Sequence, residues 1–129
     1  MDDMEYERER RRQTRLERLG TNNPKCLFCP EDDPACLELH HLAGKGFGSE
    51  SVISCRNCHR KLTDKQKEHP SISPGKPSIG ECHGRCLLGI ADGLELLNVP
   101  EQLVGLIRQT GLDLVEEGQR SNSADGEQP

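Results

Sequence analysis

Apolar positions follow four different spacings along this chain. Residues 5–19 are mostly Glu and Arg, with Glu–Arg pairs at helical spacing and Leu16 and Leu19 as the aliphatic positions. This predicts a charged helix, stopped by Gly20 and the Thr21-Asn22-Asn23-Pro24 that follows. It is either a solvated lead-in helix or an Arg-rich arm for a nucleic-acid backbone. Leu37 and Leu39, then Val52 and Ile53, fall at strand positions, and Cys58 to about Lys67 reads as a helix. Residues 70–80 contain three prolines, incompatible with a helix or a central strand, and predict a linker. From residue 85 the spacing turns helical: Leu87, Leu88, Ile90, Ala91, Leu94 and Leu97, then Leu103, Leu106 and Ile107. Asn98-Val99-Pro100-Glu101 predicts a break, with Pro100 in the first turn of a second helix. Gly111 is placed to end or kink that helix. Residues 118–129 are polar and predict a disordered tail.

The expected organisation is therefore a charged N-terminal helix (1–24), a compact module (25–69), a Pro/Gly/Ser linker (70–84), a helical region (85–117) and a tail (118–129). The leucines of 85–110 exceed what a 45-residue module can cover. They pack on the module or form a homodimer interface.

Composition changes this picture in one respect. With no Trp, two Phe and one Tyr in 129 residues, little aromatic area is available for a core. A short chain of this kind needs disulfides, a metal or a partner. Residues 1–20 lack the apolar stretch of a signal peptide, and no run approaches the ~18 apolar residues of a membrane span. The expectation is a cytoplasmic protein without a membrane partner, where thiols stay reduced. Seven cysteines, an odd number, also fit a full disulfide framework poorly. A metal is the better reading.

Cys26-x2-Cys29 and Cys55-x2-Cys58 are two matched pairs separated by 25 residues. Each pair offers two thiolates from one tight turn, and two such knuckles complete a tetrahedral Zn²⁺ site. Cys36, Cys82 and Cys86 remain, and Cys82-His83-Gly84-Arg85-Cys86 could join Cys36 in a second site. Buried or simply reduced thiols are the default for these three.

Between the knuckles, a strand ends in His40-His41, a Gly-rich loop follows, and a second strand enters Cys55-x2-Cys58-His59 and a helix. Strand, strand and helix make a ββα unit, so the fold expected is α+β: a treble-clef-like zinc module followed by C-terminal helices. At these residues the chain resembles the HNH endonucleases, the His-Me finger or ββα-metal superfamily, in their zinc-stapled form. The match covers about residues 25–65. The resemblance implies that His40 and His59 bind a catalytic divalent ion (Mg²⁺, Mn²⁺, Ni²⁺ or Zn²⁺) and that His41 is the general base. It implies DNA, possibly RNA, as substrate.

The chemistry is consistent with those assignments. A neutral imidazole titrates near working pH and can take a proton from water, while a metal stabilises phosphoryl charge and the leaving oxygen. Neighbouring strand residues point to opposite faces, which suits a division of labour between His40 and His41. The family's orienting Asn is missing: Ser49-Glu50-Ser51 stands in its place, and Glu50 or Ser51 could substitute. Lys45, Arg56, Arg60, Lys61, Lys65 and Lys67 are candidate phosphate contacts or a solvated charged surface. Net charge is −5, but residues 92–129 hold two Arg against eight acids, so the deficit lies at the C-terminal end. Overall acidity does not exclude nucleic acid, because phosphate contact depends on local clusters. The alternative is a noncatalytic zinc module that binds nucleic acid or protein.

Overall fold

The computed structural model describes residues 2–126. It is a mixed α/β protein with four α-helices and a two-stranded antiparallel sheet. Helix α1 is Asp3–Leu19, strand β1 Leu37–His41, strand β2 Ser51–Cys55, helix α2 Arg56–Gln66, helix α3 Ile79–Leu96 and helix α4 Glu101–Gly126. A 3-10 turn, Pro34–Cys36, leads into β1. The chain divides into two compact units. The first holds the residues up to His40 together with Val52–Arg60; the second holds His41–Ser51 and everything from Lys61 onward.

In the first unit, α1 starts where Asp2 caps it by accepting from the Glu5 N–H at 2.8 Å. It ends at Gly20, whose φ of +77° allows its N–H to reach the Glu17 and Leu16 carbonyls. Leu16 and Leu19 are the two buried side chains of this helix. They share the unit's core with Leu37 and the thiols of Cys26, Cys55 and Cys58. The Leu27 N–H donates to the Ile53 carbonyl at 3.0 Å and so fastens the first knuckle to β2.

In the second unit, α3 and α4 form an antiparallel hairpin. Its seam depends on glycines, against which Leu88 and Val115 pack. A Cβ on Gly84 would lie 2.7 Å from the Gly111 carbonyl, and one on Gly111 2.9 Å from the Gly84 carbonyl. Leu88, Ala91, Val104 and Val115 are buried, whereas Leu97, Leu103 and Leu106 are exposed. Gly111 thus does not end α4, which runs on through it. The leucines of 85–110 are only partly covered within the chain.

Three sequence boundaries shift for physical reasons. Residues 79–84, assigned to the linker, form the first turns of α3, because Ser78 caps it by accepting from the Glu81 N–H at 3.1 Å. Residues 118–126 continue α4 instead of forming a loose tail. Gly118 packs against Glu81, and Gln119 and Asn122 donate to the Ser71 and Lys76 carbonyls at 2.7 and 2.8 Å. Residues 127–129 lie outside the described residues. The break between α3 and α4 occurs as expected, with Asn98 at φ +64°, but Pro100 precedes α4 rather than entering it.

Two further features of this unit position functional groups. The Leu42 carbonyl lies directly on Gly89 of α3, closer than any side chain at 89 would permit. His69, just beyond α2, is partly buried and paired with Asp92 at 2.7 Å. Arg108 bridges Asp92 and Glu95, and Lys65 binds Glu95 at 3.0 Å. Hydrogen bonds from Lys65 and Arg108 hold the Glu95 carboxyl below the usual carboxylate range.

Candidate metal centre and histidine site

The four cysteine sulfurs of the two knuckles lie within 4.8 Å of one another. A tetrahedral zinc with Zn–S bonds of about 2.3 Å separates its sulfurs by about 3.8 Å, so the cluster fits such an ion with little adjustment. All seven cysteines are free, and the Cys29 and Cys55 sulfurs lie 3.6 Å apart, far longer than a disulfide bond. Backbone N–H groups face the sulfurs, as knuckles require: Phe28 to Cys26 and Cys58 to Cys55, each at 3.4 Å.

The thiols respond differently to this crowding. Burial opposes a charge on Cys26, yet backbone donors including Cys55 and Phe28 bring it down to about 7. Burial and the adjacent sulfurs push the Cys58 thiol strongly up. Charge on one thiol thus opposes charge on its neighbours, an opposition that a bound cation would relieve.

The histidines flank this cluster in sequence and divide in space. His40 is 2% exposed and faces the first unit's interior. Its ring meets that of His59 edge to face, 5.2 Å between centroids and 71° between planes. Glu38, two residues before His40 and on the same strand face, places its Oε2 3.0 Å from His59 Nδ1. A carboxylate accepts, so Nδ1 carries the proton of this contact. Arg56 holds the other carboxylate oxygen at 3.5 Å and donates to the Ala35 carbonyl. His41, the last residue of β1, is exposed. Its carbonyl accepts from the Gln66 side chain at 2.7 Å, which fixes the strand end.

Among the described residues, the four cysteines are the one group of three or more metal-binding side chains gathered closely enough for an ion. His40 and His59 are brought together as a pair without a third protein ligand. Glu50 and Ser51 are both exposed and have no side-chain hydrogen bond among the described residues. The Glu50 carbonyl accepts from Leu42 N–H at 3.0 Å, and its side chain lines a cavity of about 420 Å³ with Cys82, His83 and Cys86. That cysteine pair, its histidine and Cys36 form no ligand cluster.

Of the candidate phosphate contacts, Lys45, Arg56, Arg60 and Lys61 are exposed, as is Lys67. Lys65 is turned toward Glu95. Sequence reasoning missed Glu38, and it missed that Arg15 and Arg18 of α1 line a cavity of about 460 Å³ with Glu38 and Arg56. Arg18 is fixed there by donation to the Leu37 carbonyl at 3.5 Å. A single Glu in a strand has no pattern that marks it. The arginines were visible only as members of a long charged run. No described helix is long and apolar enough to cross a membrane. Compared with protein-family models, with curated proteins and with solved structures, the chain matches none.

Proposed function

We propose that the chain is a metal-dependent endonuclease of the HNH type, hydrolysing phosphodiester bonds in DNA, with Zn²⁺ held by Cys26, Cys29, Cys55 and Cys58 as its structural ion. The observation that carries the reading is the pairing of His40 with His59 at 5.2 Å, with Glu38 fixing the His59 tautomer. Carboxylate partners of this kind accompany metal-binding histidines and orient the ligating nitrogen. A divalent ion bound by His40 and His59 would act as a Lewis acid on the phosphoryl oxygens and the departing oxygen. His41, exposed on the opposite strand face, takes the proton from the attacking water. Arg15, Arg18 and Arg56 offer the strand's phosphates a cationic wall in the same unit.

One observation favours a second reading, a noncatalytic zinc module that binds nucleic acid. Neither Glu50 nor Ser51 donates to or accepts from the His41 ring, so the orienting contact supplied by Asn in the family has no counterpart among the described residues. Plasmid cleavage with Mg²⁺, Mn²⁺, Ni²⁺ and Zn²⁺ separates the two. His41→Ala should reduce cleavage by about 10²–10⁴ while zinc content and helicity persist. A folded, zinc-loaded protein that cuts neither DNA nor RNA with any of these ions would defeat the nuclease reading.

A further inference from the structure

A cavity of about 530 Å³ lies wholly within the second unit. Its polar side carries three cations, Lys45 from the loop after β1, Lys67 from the segment after α2 and Arg85 from α3, with Gln66, His69 and Ser71 beside them. No carboxylate is among its lining residues. Phe47 and Ile72 contribute an apolar wall.

Two of these side chains, the buried Arg85 and the partly buried His69, keep a nitrogen without a partner among the described residues. Arg85 is 3% exposed. Its Nε donates to Glu81 at 3.3 Å, its Nη2 to the Ser71 carbonyl at 3.2 Å, and its guanidinium lies 4.5 Å from the centre of the Phe47 ring. These contacts hold the fork rigid. Its Nη1 has no acceptor among the described residues, and it is not sealed from solvent either, since Ser54 Oγ is the one described buried polar side-chain atom without a partner. His69 is in a similar position: Nε2 is held by Asp92 and Nδ1 has no partner among the described residues. The fork is thus fixed at Nε and Nη2 while Nη1 stays free to donate to solvent or to a ligand in the cavity.

We infer that this cavity binds a nucleotide, its phosphate meeting Arg85 Nη1, Lys45 and Lys67 and its base lying against the Phe47–Ile72 wall. Arginine forks recognise phosphate through paired N–H donors. A concave, partly apolar site with a few converging polar groups is the usual form of a small-ligand pocket, and its volume falls in the range of about 300–1,000 Å³ for such sites. A bare phosphate would leave the apolar wall unused. The nucleotide is either free or one residue of a nucleic-acid strand, since both present the same phosphate and base. The inference does not rest on the nuclease reading, because it concerns binding and not cleavage.

The test is an amide NMR titration of the full zinc-loaded chain with AMP, with a short single-stranded oligonucleotide and with inorganic phosphate. AMP or the oligonucleotide should shift the Gly44, Lys45, Ser71 and Ile72 amides saturably, and inorganic phosphate should bind far more weakly. Tighter binding of the oligonucleotide identifies a strand residue; tighter binding of AMP identifies the free nucleotide. The double variant Lys45→Gln/Lys67→Gln changes two exposed side chains and leaves the core untouched, so it should fold. It should weaken binding at least about tenfold, whereas Arg120→Gln on the outer face of α4 should not. Absence of shifts with millimolar AMP and oligonucleotide overturns the inference, as does unchanged affinity in the double variant. Equal binding of inorganic phosphate and AMP overturns the nucleotide assignment.

Discussion

Glu38 stands two positions before His40, so the strand delivers both side chains to one face and Glu38 reaches His59 across it. If His59 holds a metal, the carboxylate acts only through that ring. Glu38→Gln should therefore lower Mn²⁺ affinity at the histidine pair by about 10–100-fold, measured by calorimetry on zinc-loaded protein, with the structural zinc and thermal midpoint nearly unchanged. Unaltered Mn²⁺ affinity would leave Glu38 as a surface partner of Arg56. The four-cysteine cluster was legible in the sequence because paired knuckles form a pattern whose spacing has a chemical cause. Glu38 and Asp92 were not legible. Each is one acid among 22, and what distinguishes it is the histidine that folding brings beside it.

At the level of elements, the helices were read from leucine spacing, and the spacing predicted their existence better than their faces. The α3–α4 seam is built on Gly84, Gly111, Leu88 and Val115, where missing side chains allow the backbones to approach. Leucine-counting cannot see an absence. For the same reason residues 118–126 looked like a tail: their contacts are a glycine approach and two amide side chains bound to carbonyls, with nothing hydrophobic to advertise them. Gly84→Val would place its branched side chain against the Gly111 carbonyl and Val115, both under 3 Å from Cβ alone. The expected cost is about 1–3 kcal/mol, or more if the hairpin cannot open. A chemical-denaturation series checks it, and a stability equal to the native protein's would mean the helices slide without penalty.

For the whole molecule, the two units differ in what sustains them. The first has few buried aliphatic side chains and a four-thiol cluster, whereas the second has its own helical core. Structural zinc in small modules contributes on the order of 10 kcal/mol of folding free energy. Cys58→Ser, or a strong chelator, should leave residues 25–40 and 52–60 exchanging amide protons freely while α3 and α4 keep their protection. Full protection in zinc-free protein would show that the thiols pack without an ion. The second expectation concerns assembly. Leu103 and Leu106, 49% and 66% exposed, lie in the stretch for which the sequence suggested a homodimer. Light scattering should then give a dimer mass at high concentration, and Leu106→Asp should return it to a monomer, because burying an unpaired charge is costly. A monomeric native protein at every concentration removes the dimer.

The contact of the Leu42 carbonyl with Gly89 has a consequence for how this sequence can vary. Leu42 follows His41 directly, so the helix that accepts its carbonyl also sets where the exposed imidazole stands. Any Cβ at position 89 would have to displace that backbone before the rest of the side chain was placed. On the nuclease reading, a saturation library selected for cleavage would be depleted at position 89, although Gly89 is none of the proposed ligands or bases. Such a depletion map would mark an apparently inert helix glycine as part of the machinery, and an engineer filling helix glycines with alanine for thermostability should leave this one alone.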